Sequence, residues 1–362
     1  MQKKPIEYLC PMLAPSTKND IRKLSQEELK QFLALHGEKP FRAKQILEWL
    51  WKKSATSFEE MSNLSEATRK LLAEHFDIRN LTVDTQQHSN DGTVKAGFRL
   101  FDKNLVEGVL IPAEERMTAC VSSQVGCSLT CKFCATGYMD RKRNLEPGEI
   151  YDQVVAIDRM AKEKFDHPLT NIVYMGMGEP LLNYANVLKS VELITSPHGL
   201  NMAPKRITVS TAGIAKMIKK LGDDGVKFNL ALSLHAADDE KRNQIMPINE
   251  SNTLEALRDA LKYFHQKTKN KITFEYIVFH NFNDGLDDAK KLYAFAKSTG
   301  VPVKINIIEY NPIAEADFVN TTEDKLYKFS DYLVKQGLIV MVRRSRGKDI
   351  DAACGQLAIK EN

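Results

Sequence analysis

The chain has few cysteines, only two tryptophans and no long apolar segment near its start. Its first 20 residues, MQKKPIEYLCPMLAPSTKND, are polar and broken by proline. Neither a secretion signal nor a membrane-spanning helix of about 20 apolar residues fits such a stretch. We therefore expect a cytoplasmic protein without a membrane partner. The hydrophobic fraction of 43% and charged fraction of 27% are typical of a globular protein.

The few cysteines are unevenly distributed. Of six in 362 residues, four lie in one segment, CVSSQVGCSLTCKFCATG, which starts at Cys120. A fifth, Cys354, lies far downstream in DIDAACGQL, and Cys10 matches no motif. Thiols stay reduced in the cytosol, so clustered cysteines there indicate metal or redox chemistry more than structural disulfides.

Net charge is also small, at +4, and does not by itself indicate a nucleic-acid partner. Two basic runs nevertheless accompany the thiols: RKR at 141–143 follows the cysteine segment, and RRSRGK at 343–348 precedes Cys354. Such runs would suit a polyanion brought to the chemistry, although a solvated charged face fits either run equally well.

The residue pattern changes twice along the chain. Residues 25–76 predict amphipathic helices, the first capped by Ser25 with Glu28 three residues later and stopped at Gly37. Two β-rich runs around the DKN turn then predict a hairpin. We predict a helical RNA-binding module at 1–80, a β-hairpin connector at 81–115, and a catalytic domain at 116–362.

The catalytic part alternates short apolar strands with longer amphipathic helices, which predicts a parallel sheet with right-handed crossovers. Six strand–helix units are too few for an eight-fold barrel, so we expect an α/β fold with a partial (β/α)6 barrel. LIVMVRR, from Leu338, adds a last strand. The motifs with chemical potential follow the strands, where a parallel barrel places its active site.

Cys127, Cys131 and Cys134 form a C-x3-C-x2-C motif. Three thiolates on one loop can each bind one iron of a cubane cluster and leave the fourth iron open to a substrate. A structural zinc site is the alternative. However, no second C-x2-C knuckle is present and no histidine lies within this loop.

This motif, with aromatic Phe133 before its last cysteine, resembles the radical S-adenosylmethionine (SAM) superfamily. The resemblance implies a 4Fe–4S cluster whose open iron chelates SAM, and one-electron cleavage of SAM to a 5′-deoxyadenosyl radical. It also implies SAM-binding positions at the other strand ends. These are Gly178 and Glu179 in MGMGEPLLN, Ser210 in STAG, Ser233, Leu234 and His235 in SLHA, and Asn311 in YNP.

The combination of CVSSQVGC, MGMGEPLLN, MPIN and GKDIDAACGQL resembles the RlmN-type dual-specificity RNA methyltransferases over nearly the whole chain. This implies methylation of adenine C2 in 23S rRNA and tRNA, a flavodoxin or ferredoxin as electron donor, and a monomer. The related Cfr-type enzymes, which methylate adenine C8, share every cysteine. Pro180 and Leu181 favour the C2 type.

The resemblance also implies the roles of the remaining thiols. Cys354 takes a methyl group from one SAM, and a second SAM provides the radical that activates this methyl for addition to C2. Cys120 then resolves the protein–RNA adduct by forming a disulfide with Cys354, and Glu107 accepts the proton.

Two other classes of function stay open on the residues alone. A non-catalytic RNA-binding protein with a structural metal would contain zinc and no iron. A radical SAM enzyme acting on a protein or a small molecule would not need Cys354.

Overall fold

The computed structural model describes residues 18–359. The chain forms two compact units, Met1–Asn80 and Leu81–Asn362. Cys10 lies outside the described residues. No helix among the described residues is long and apolar enough to cross a membrane.

The first unit is mainly helical. Its described elements are β1 (Asn19–Asp20), α1 (Gln26–Leu35), α2 (Arg42–Leu47), α3 (Glu66–His75) and β2 (Phe76–Asp77). The predicted capping box is confirmed: the Ser25 hydroxyl accepts from the Glu28 amide, and the Glu28 carboxylate accepts from the Ser25 amide. The segment after α2 was expected to continue as an α-helix. It instead adopts π-helical hydrogen bonding over Glu48–Lys52, which still buries Leu50 and Trp51.

The second unit contains one ten-stranded sheet and a small two-stranded one. The strands are β3 (Thr82–His88), β4 (Val94–Arg99), β5 (Leu105–Ala113), β6 (Arg116–Cys120), β7 (Gln124–Val125), β8 (Arg143–Asn144), β9 (Asn171–Tyr174), β10 (Ile207–Thr211), β11 (Asn229–Ser233), β12 (Ile272–Val278), β13 (Val303–Glu309) and β14 (Ile339–Arg343). The large sheet runs in the order β14-β13-β12-β11-β10-β9-β6-β5-β4-β3.

The ladder from β14 to β6 is parallel, as the alternating strand–helix pattern predicts. The predicted hairpin is confirmed as β4 and β5, and the antiparallel strands β3, β4 and β5 extend the same sheet beyond β6. The helices are α4 (Pro147–Phe165), α5 (Tyr184–Thr195), α6 (Ala215–Asp223), α7 (Asp239–Ile245), α8 (Leu254–Thr268), α9 (Leu286–Ser298) and α10 (Glu323–Lys335).

Apolar strand residues fill the core of this unit. Ile172, Val209, Leu230, Phe274 and Ile305 are each fully buried. Outside the sheet, α4 packs on α5, α6 on α8 and α9 on α10. Because the strands from β6 to β14 are parallel, their carboxyl ends lie along one edge, and the polar residues that follow them converge there.

Candidate active site

A cavity of about 150 Å³ lies at the carboxyl ends of the parallel strands. Its lining includes most of the predicted site residues: Cys127, Cys131, Cys134, Gly178, Glu179, Ser210, Ser233, His235 and Cys354. Loops after β7, β9 and β11 and the loop after β14 therefore bring together groups that are more than 200 residues apart in sequence. Four predicted residues, Cys120, Glu107, Leu234 and Asn311, lie outside the lining that the described residues form.

The three-cysteine loop is shaped by close backbone packing. Gly126, one residue before Cys127, has φ of +73°, and a Cβ there would lie 2.1 Å from the Asp140 carbonyl oxygen. Only glycine fits this position. Below the loop, Leu129 and Phe133 pack into an apolar cluster with Met246 and Phe279, and this packing excludes water from one side of the thiols.

The thiols are protonated in the absence of metal. Burial raises the pKa of Cys127 to about 11 and also raises the pKa of Cys131 and of Cys134. The negative charge of the two neighbouring cysteines, when ionised, raises the pKa of Cys131 further. A bound metal would replace these protons, because thiolate is the ligand form.

The arrangement of the thiols bears on the kind of metal group. Over residues 18–359, no three or more His, Cys, Asp or Glu side chains converge closely enough to hold a single metal ion. A cubane cluster does not need that convergence, because each thiolate binds a different iron. Three thiols around one cavity are suited to bind three irons of a 4Fe–4S cluster.

Glu179 is buried and bridges two strand ends. One carboxylate oxygen accepts from the Leu181 amide at 2.9 Å and the other from the Ala212 amide at 2.8 Å. Burial raises its pKa, and these hydrogen bonds oppose the rise. The Thr211 side chain also hydrogen-bonds this carboxylate, so about one of its four acceptor sites stays available to a ligand. The neighbouring Gly178 has φ of +93°, and a Cβ there would lie 2.4 Å from Cβ of Gln124, so this glycine permits close chain packing rather than only ligand approach.

The polar groups after β10 and β11 form a short row. The hydroxyls of Ser210 and Ser233 lie 3.3 Å apart. His235 accepts from the Ile277 amide through Nδ1 at 3.1 Å, which leaves the proton on Nε2. Burial lowers the pKa of His235 to about 3, and Arg242 adds to this, so the imidazole is neutral. Leu234 is buried, and its carbonyl accepts from Arg242.

Arg242 is a structural residue that sequence reasoning missed. Its guanidinium is fully buried and donates to the carbonyls of Ala212, Ser233 and Leu234 and to the Asn249 side chain. Burial lowers its pKa only to about 10, so it remains a cation beside Cys131. Arg242 lies in the polar helix α7, whose composition is typical of a solvent-exposed helix. The adjacent MPIN motif is the only sequence signal for a special role of this segment.

Cys120 and Cys354 meet in an adjoining cavity of about 80 Å³, which shares Cys134 with the larger one. All five cysteines that the structure describes are free thiols. Burial raises the pKa of Cys120 to about 12, and the neighbouring Cys354 adds to the rise. Surrounding protein also raises the pKa of the Cys354 thiol, although this residue is exposed. Arg343, at the end of β14, opposes both shifts.

Asn311 and Glu107 stand at the border of the site. The Asn311 side chain donates to the Cys354 carbonyl at 3.2 Å, while its side-chain oxygen is buried without a hydrogen-bond partner among the described residues. Such an orphaned acceptor fits a bound ligand. Glu107 is buried on β5, and Lys95 lies 3.4 Å from its carboxylate.

The two basic runs are largely compensated by acidic side chains. Arg143 pairs with Asp102 at 2.6 Å and Glu149 at 2.7 Å, which makes it part of the fold. Arg344 pairs with Glu323 at 2.6 Å, and Lys348 with Glu309 at 2.8 Å. Arg343 lies 3.7 Å from Glu275, which is buried in the lining of the larger cavity.

Two family models match the chain. The model of the ribosomal RNA large subunit methyltransferase N-terminal domain matches residues 19–78, and that of the radical SAM superfamily matches residues 121–296. The first match falls within the helical unit, and the second includes the three-cysteine loop and the strand ends through β12.

Individual relatives extend over nearly the whole chain. A probable dual-specificity RNA methyltransferase RlmN from Cytophaga hutchinsonii is 65% identical, covering 98% of this chain and 97% of the relative. The dual-specificity RNA methyltransferase RlmN 2 of Myxococcus xanthus is 41% identical, covering 98% and 94%. The crystal structure of a radical SAM methyltransferase from Sphaerobacter thermophilus superposes with a TM-score of 0.87 at 37% identity, covering 94% of this chain and 99% of that one.

Proposed function

The chain belongs to the RlmN family of dual-specificity RNA methyltransferases, which are radical SAM enzymes, and we propose that it methylates C2 of adenine in 23S rRNA and tRNA. The observation that carries this function is the meeting of two thiol systems: Cys354 lines one cavity with the three-cysteine loop and a second with Cys120. Methylation at C8 is not favoured, because the curated relatives at 40–65% identity are named RlmN.

The residues present fit both cofactors of a radical SAM enzyme. Cys127, Cys131 and Cys134 would hold three irons of the 4Fe–4S cluster. When bound, the cluster and SAM supply a one-electron cleavage that yields a radical able to take hydrogen from an unactivated carbon. The open acceptors of Glu179 and Asn311 and the Nε2–H of His235 are suited to SAM, together with Gly178, Ser210, Ser233 and Leu234.

Cys354 is the methyl carrier in this proposal. C2 of adenine lies between two ring nitrogens and is too electron-poor to attack a methyl group itself. A thiolate can accept the methyl by ordinary displacement, and the exposure of Cys354 to both cavities leaves it accessible. Its pKa is raised before substrates bind, so the thiolate has to be stabilised locally, and Arg343 is the cation beside it.

Cys120 releases the product. Its thiolate attacks the Cys354 sulfur, the bond between that sulfur and the methylene carbon breaks, and the electron pair remains with the carbon, which takes up a proton. The resulting disulfide between Cys120 and Cys354 is reset by an external reductant. Glu107 accepts the proton that leaves C2. The shared cavity of the two cysteines supports this pairing.

The RNA contacts are assigned by charge and position. The target adenine has to leave its stack to reach Cys354. We assign the first unit, residues 1–80, to RNA binding, residues 81–115 to a connector and 116–362 to catalysis. Arg141 and Lys142 are exposed beside the cysteine loop and are suited to phosphate contacts.

The remaining partners follow from the chemistry. The cluster needs an electron, and we assign a flavodoxin or ferredoxin as its donor in a cytoplasmic, monomeric enzyme. An open groove beside the cluster loop is lined by Cys127, Lys132 and Arg141, which makes it a suitable docking surface for an acidic electron carrier.

The test is anaerobic turnover of the reconstituted enzyme with methyl-labelled SAM and either protein-free 23S rRNA or tRNA. Nucleoside digests are compared with C2- and C8-methyladenosine standards by mass spectrometry. C2-methyladenosine supports the proposal, and C8-methyladenosine overturns its position. A Cys354→Ala variant with full activity would overturn the methyl-carrier role, and Cys131→Ala is the control for cluster-dependent turnover.

A further inference from the structure

Lys95 is a buried cation that the steps above do not use. It lies on β4 with its side chain about 9% exposed, and its ammonium is 3.4 Å from the Glu107 carboxylate. The same ammonium donates to the Asp351 carbonyl at 3.4 Å. Asp351 lies three residues before Cys354. One charged group therefore contacts both the assigned proton acceptor and the loop of the methyl carrier.

The strand register explains why these groups meet. Lys95 lies opposite Val109 on β5, and Cys120 lies opposite the same residue on β6. Glu107 is two residues from Val109, so all three polar side chains share one face of the sheet. The residue opposite Glu107 is Gly97, and the Thr85 hydroxyl on β3 occupies the place where a Gly97 side chain would lie.

The loop that Lys95 contacts is fixed at its start by the β3–β4 turn. The Gly347 amide donates to Asp91 at 2.9 Å, and the Asp349 carboxylate accepts from the Ser89 hydroxyl at 2.5 Å and the Asn90 amide at 3.1 Å. Asp351 is therefore held close to β4, and its contact with Lys95 belongs to a continuous set of bonds between the turn and the Cys354 loop.

We propose that Lys95 is a positioning residue for adduct release, which directs the Glu107 carboxylate for proton transfer beside the Cys354 loop. This inference rests on the proposed function. In the step concerned, the C2 proton moves to a Glu107 oxygen and the electrons of the C–H bond stay in the adenine ring. The unpaired electron that radical addition left on the ring passes to the one-electron carrier assigned above. Removing this cation would withdraw one contact that compensates and orients the buried carboxylate.

The experiment compares Lys95→Met, Lys95→Arg, Glu107→Gln and the double variant K95M/E107Q in reconstituted holoenzyme. Arg99→Met is the matched control. Arg99 lies on the same strand as Lys95, but its ion pair with Asp84 is exposed. Three quantities are measured: methylation of the Cys354 peptide, the covalent protein–RNA adduct on denaturing gels, and C2-methyladenosine.

We expect Lys95→Met to methylate Cys354 at the wild-type rate and to accumulate adduct, with release slowed by about 10²-fold, as for loss of a general base. Lys95→Arg should restore most of the release rate. In the double variant, adding Lys95→Met to Glu107→Gln should change release by less than about twofold, because the two side chains act as a unit. The double variant removes both charges and so avoids an uncompensated buried carboxylate.

Several results would overturn the inference. The first is adduct release by Lys95→Met as fast as by Arg99→Met. The second is loss of Cys354 methylation in Lys95→Met with no adduct formed. The third is a release rate in the double variant that falls by the product of the two single effects. The wild-type product is a separate readout of the proposed function. A wild type that forms neither adduct nor C2-methyladenosine overturns the proposed function, and this inference with it. Normal wild-type product with unaffected Lys95 variants overturns this inference alone.

Discussion

Arg242 connects three strand-end segments through one guanidinium. Its donors satisfy the carbonyls of Ala212, Ser233 and Leu234, which follow or end β10 and β11 at the cavity. These carbonyls are turned away from the sheet ladder and have to be paired inside the protein. A cation can pair several of them at once, and its charge also favours the thiolate form of Cys131.

Replacing Arg242 with Met should therefore destabilise the second unit by about 3–5 kcal/mol, because buried carbonyls lose their donors. Iron content after reconstitution should fall as well. Urea unfolding of the metal-free protein and iron analysis measure the two effects. Arg258→Met is the control, since Arg258 pairs with exposed Glu255 and its loss should leave the stability nearly unchanged. Equal stability of both variants would contradict this role.

Cys120 provides a pH-dependent prediction. With a pKa of about 12 it is protonated at neutral pH, whereas a free cysteine ionises near 8.5. In metal-free protein, alkylation of Cys120 at pH 8 should be on the order of 10³-fold slower than that of a free cysteine. The alkylation rate of Cys120 should still rise tenfold per pH unit at pH 9.5, because the thiol is not yet half ionised there. Peptide mass spectrometry after timed iodoacetamide treatment measures it, with urea-unfolded protein as reference. A plateau near pH 8.5 would contradict the raised pKa.

At the residue scale, the sequence predicted which residues could carry chemistry better than it predicted how buried each residue is. The three-cysteine spacing, with Cys120 beside it and Cys354 far downstream, indicated the kind of chemistry. In contrast, the burial of Arg242, Glu275 and Lys95 depends on which elements become neighbours, and Arg242 and Lys95 lie in segments with several charged residues. A charged residue in such a segment normally indicates a solvated surface.

At the scale of elements, hydrogen bonds join the β3–β4 turn to the Cys354 loop. The Asp91 carboxylate accepts from the amides of Thr93 and Gly347. It therefore stabilises its own turn and also fixes the start of the Cys354 loop. Burial alone would raise its pKa, but these hydrogen bonds lower it to about 2. The anchor is therefore ionised and intact across the neutral and mildly acidic range.

Asp91→Ala should release the start of the loop while leaving the sheet intact. Losing these bonds costs about 1.4 kcal/mol locally, which corresponds to about tenfold faster amide exchange. Hydrogen exchange of peptides spanning 346–354 measures this change. Asp84→Ala, which removes the exposed partner of Arg99 on the same hairpin, should leave that exchange unchanged. Similar protection in both variants would show that the loop is held by other contacts.

The elements themselves were largely predictable. The strands from β9 to β13 are short apolar runs bounded by polar turns, and α1 carries a complete capping box. The pairing of the β3–β4 turn with residues 346–351 was not predictable from the sequence. It joins segments some 260 residues apart through single hydrogen bonds. No periodic pattern records such a contact.

At the scale of the whole molecule, our proposal assigns the two units to different parts of the reaction. Cys120, Cys354 and the residues that we assign to the cluster and to SAM all belong to the second unit. The first unit contributes no residue to either cavity among the described residues. Its match to an N-terminal domain of ribosomal RNA methyltransferases is the reason to assign it to RNA.

Deleting residues 1–80 should therefore separate RNA binding from cofactor chemistry. The shortened chain should still load iron and cleave SAM when reduced, because every group assigned to those steps remains. Its affinity for 23S rRNA should fall by at least about tenfold at 0.1 M salt, with a shallower salt dependence, because phosphate contacts are lost. Filter binding at several salt concentrations measures this, with both chains carrying Cys354→Ala so that no covalent adduct forms. Unchanged RNA affinity in a fragment that loads iron would place the RNA-binding surface on the second unit, where Lys132, Arg141 and Lys142 would become its first candidates.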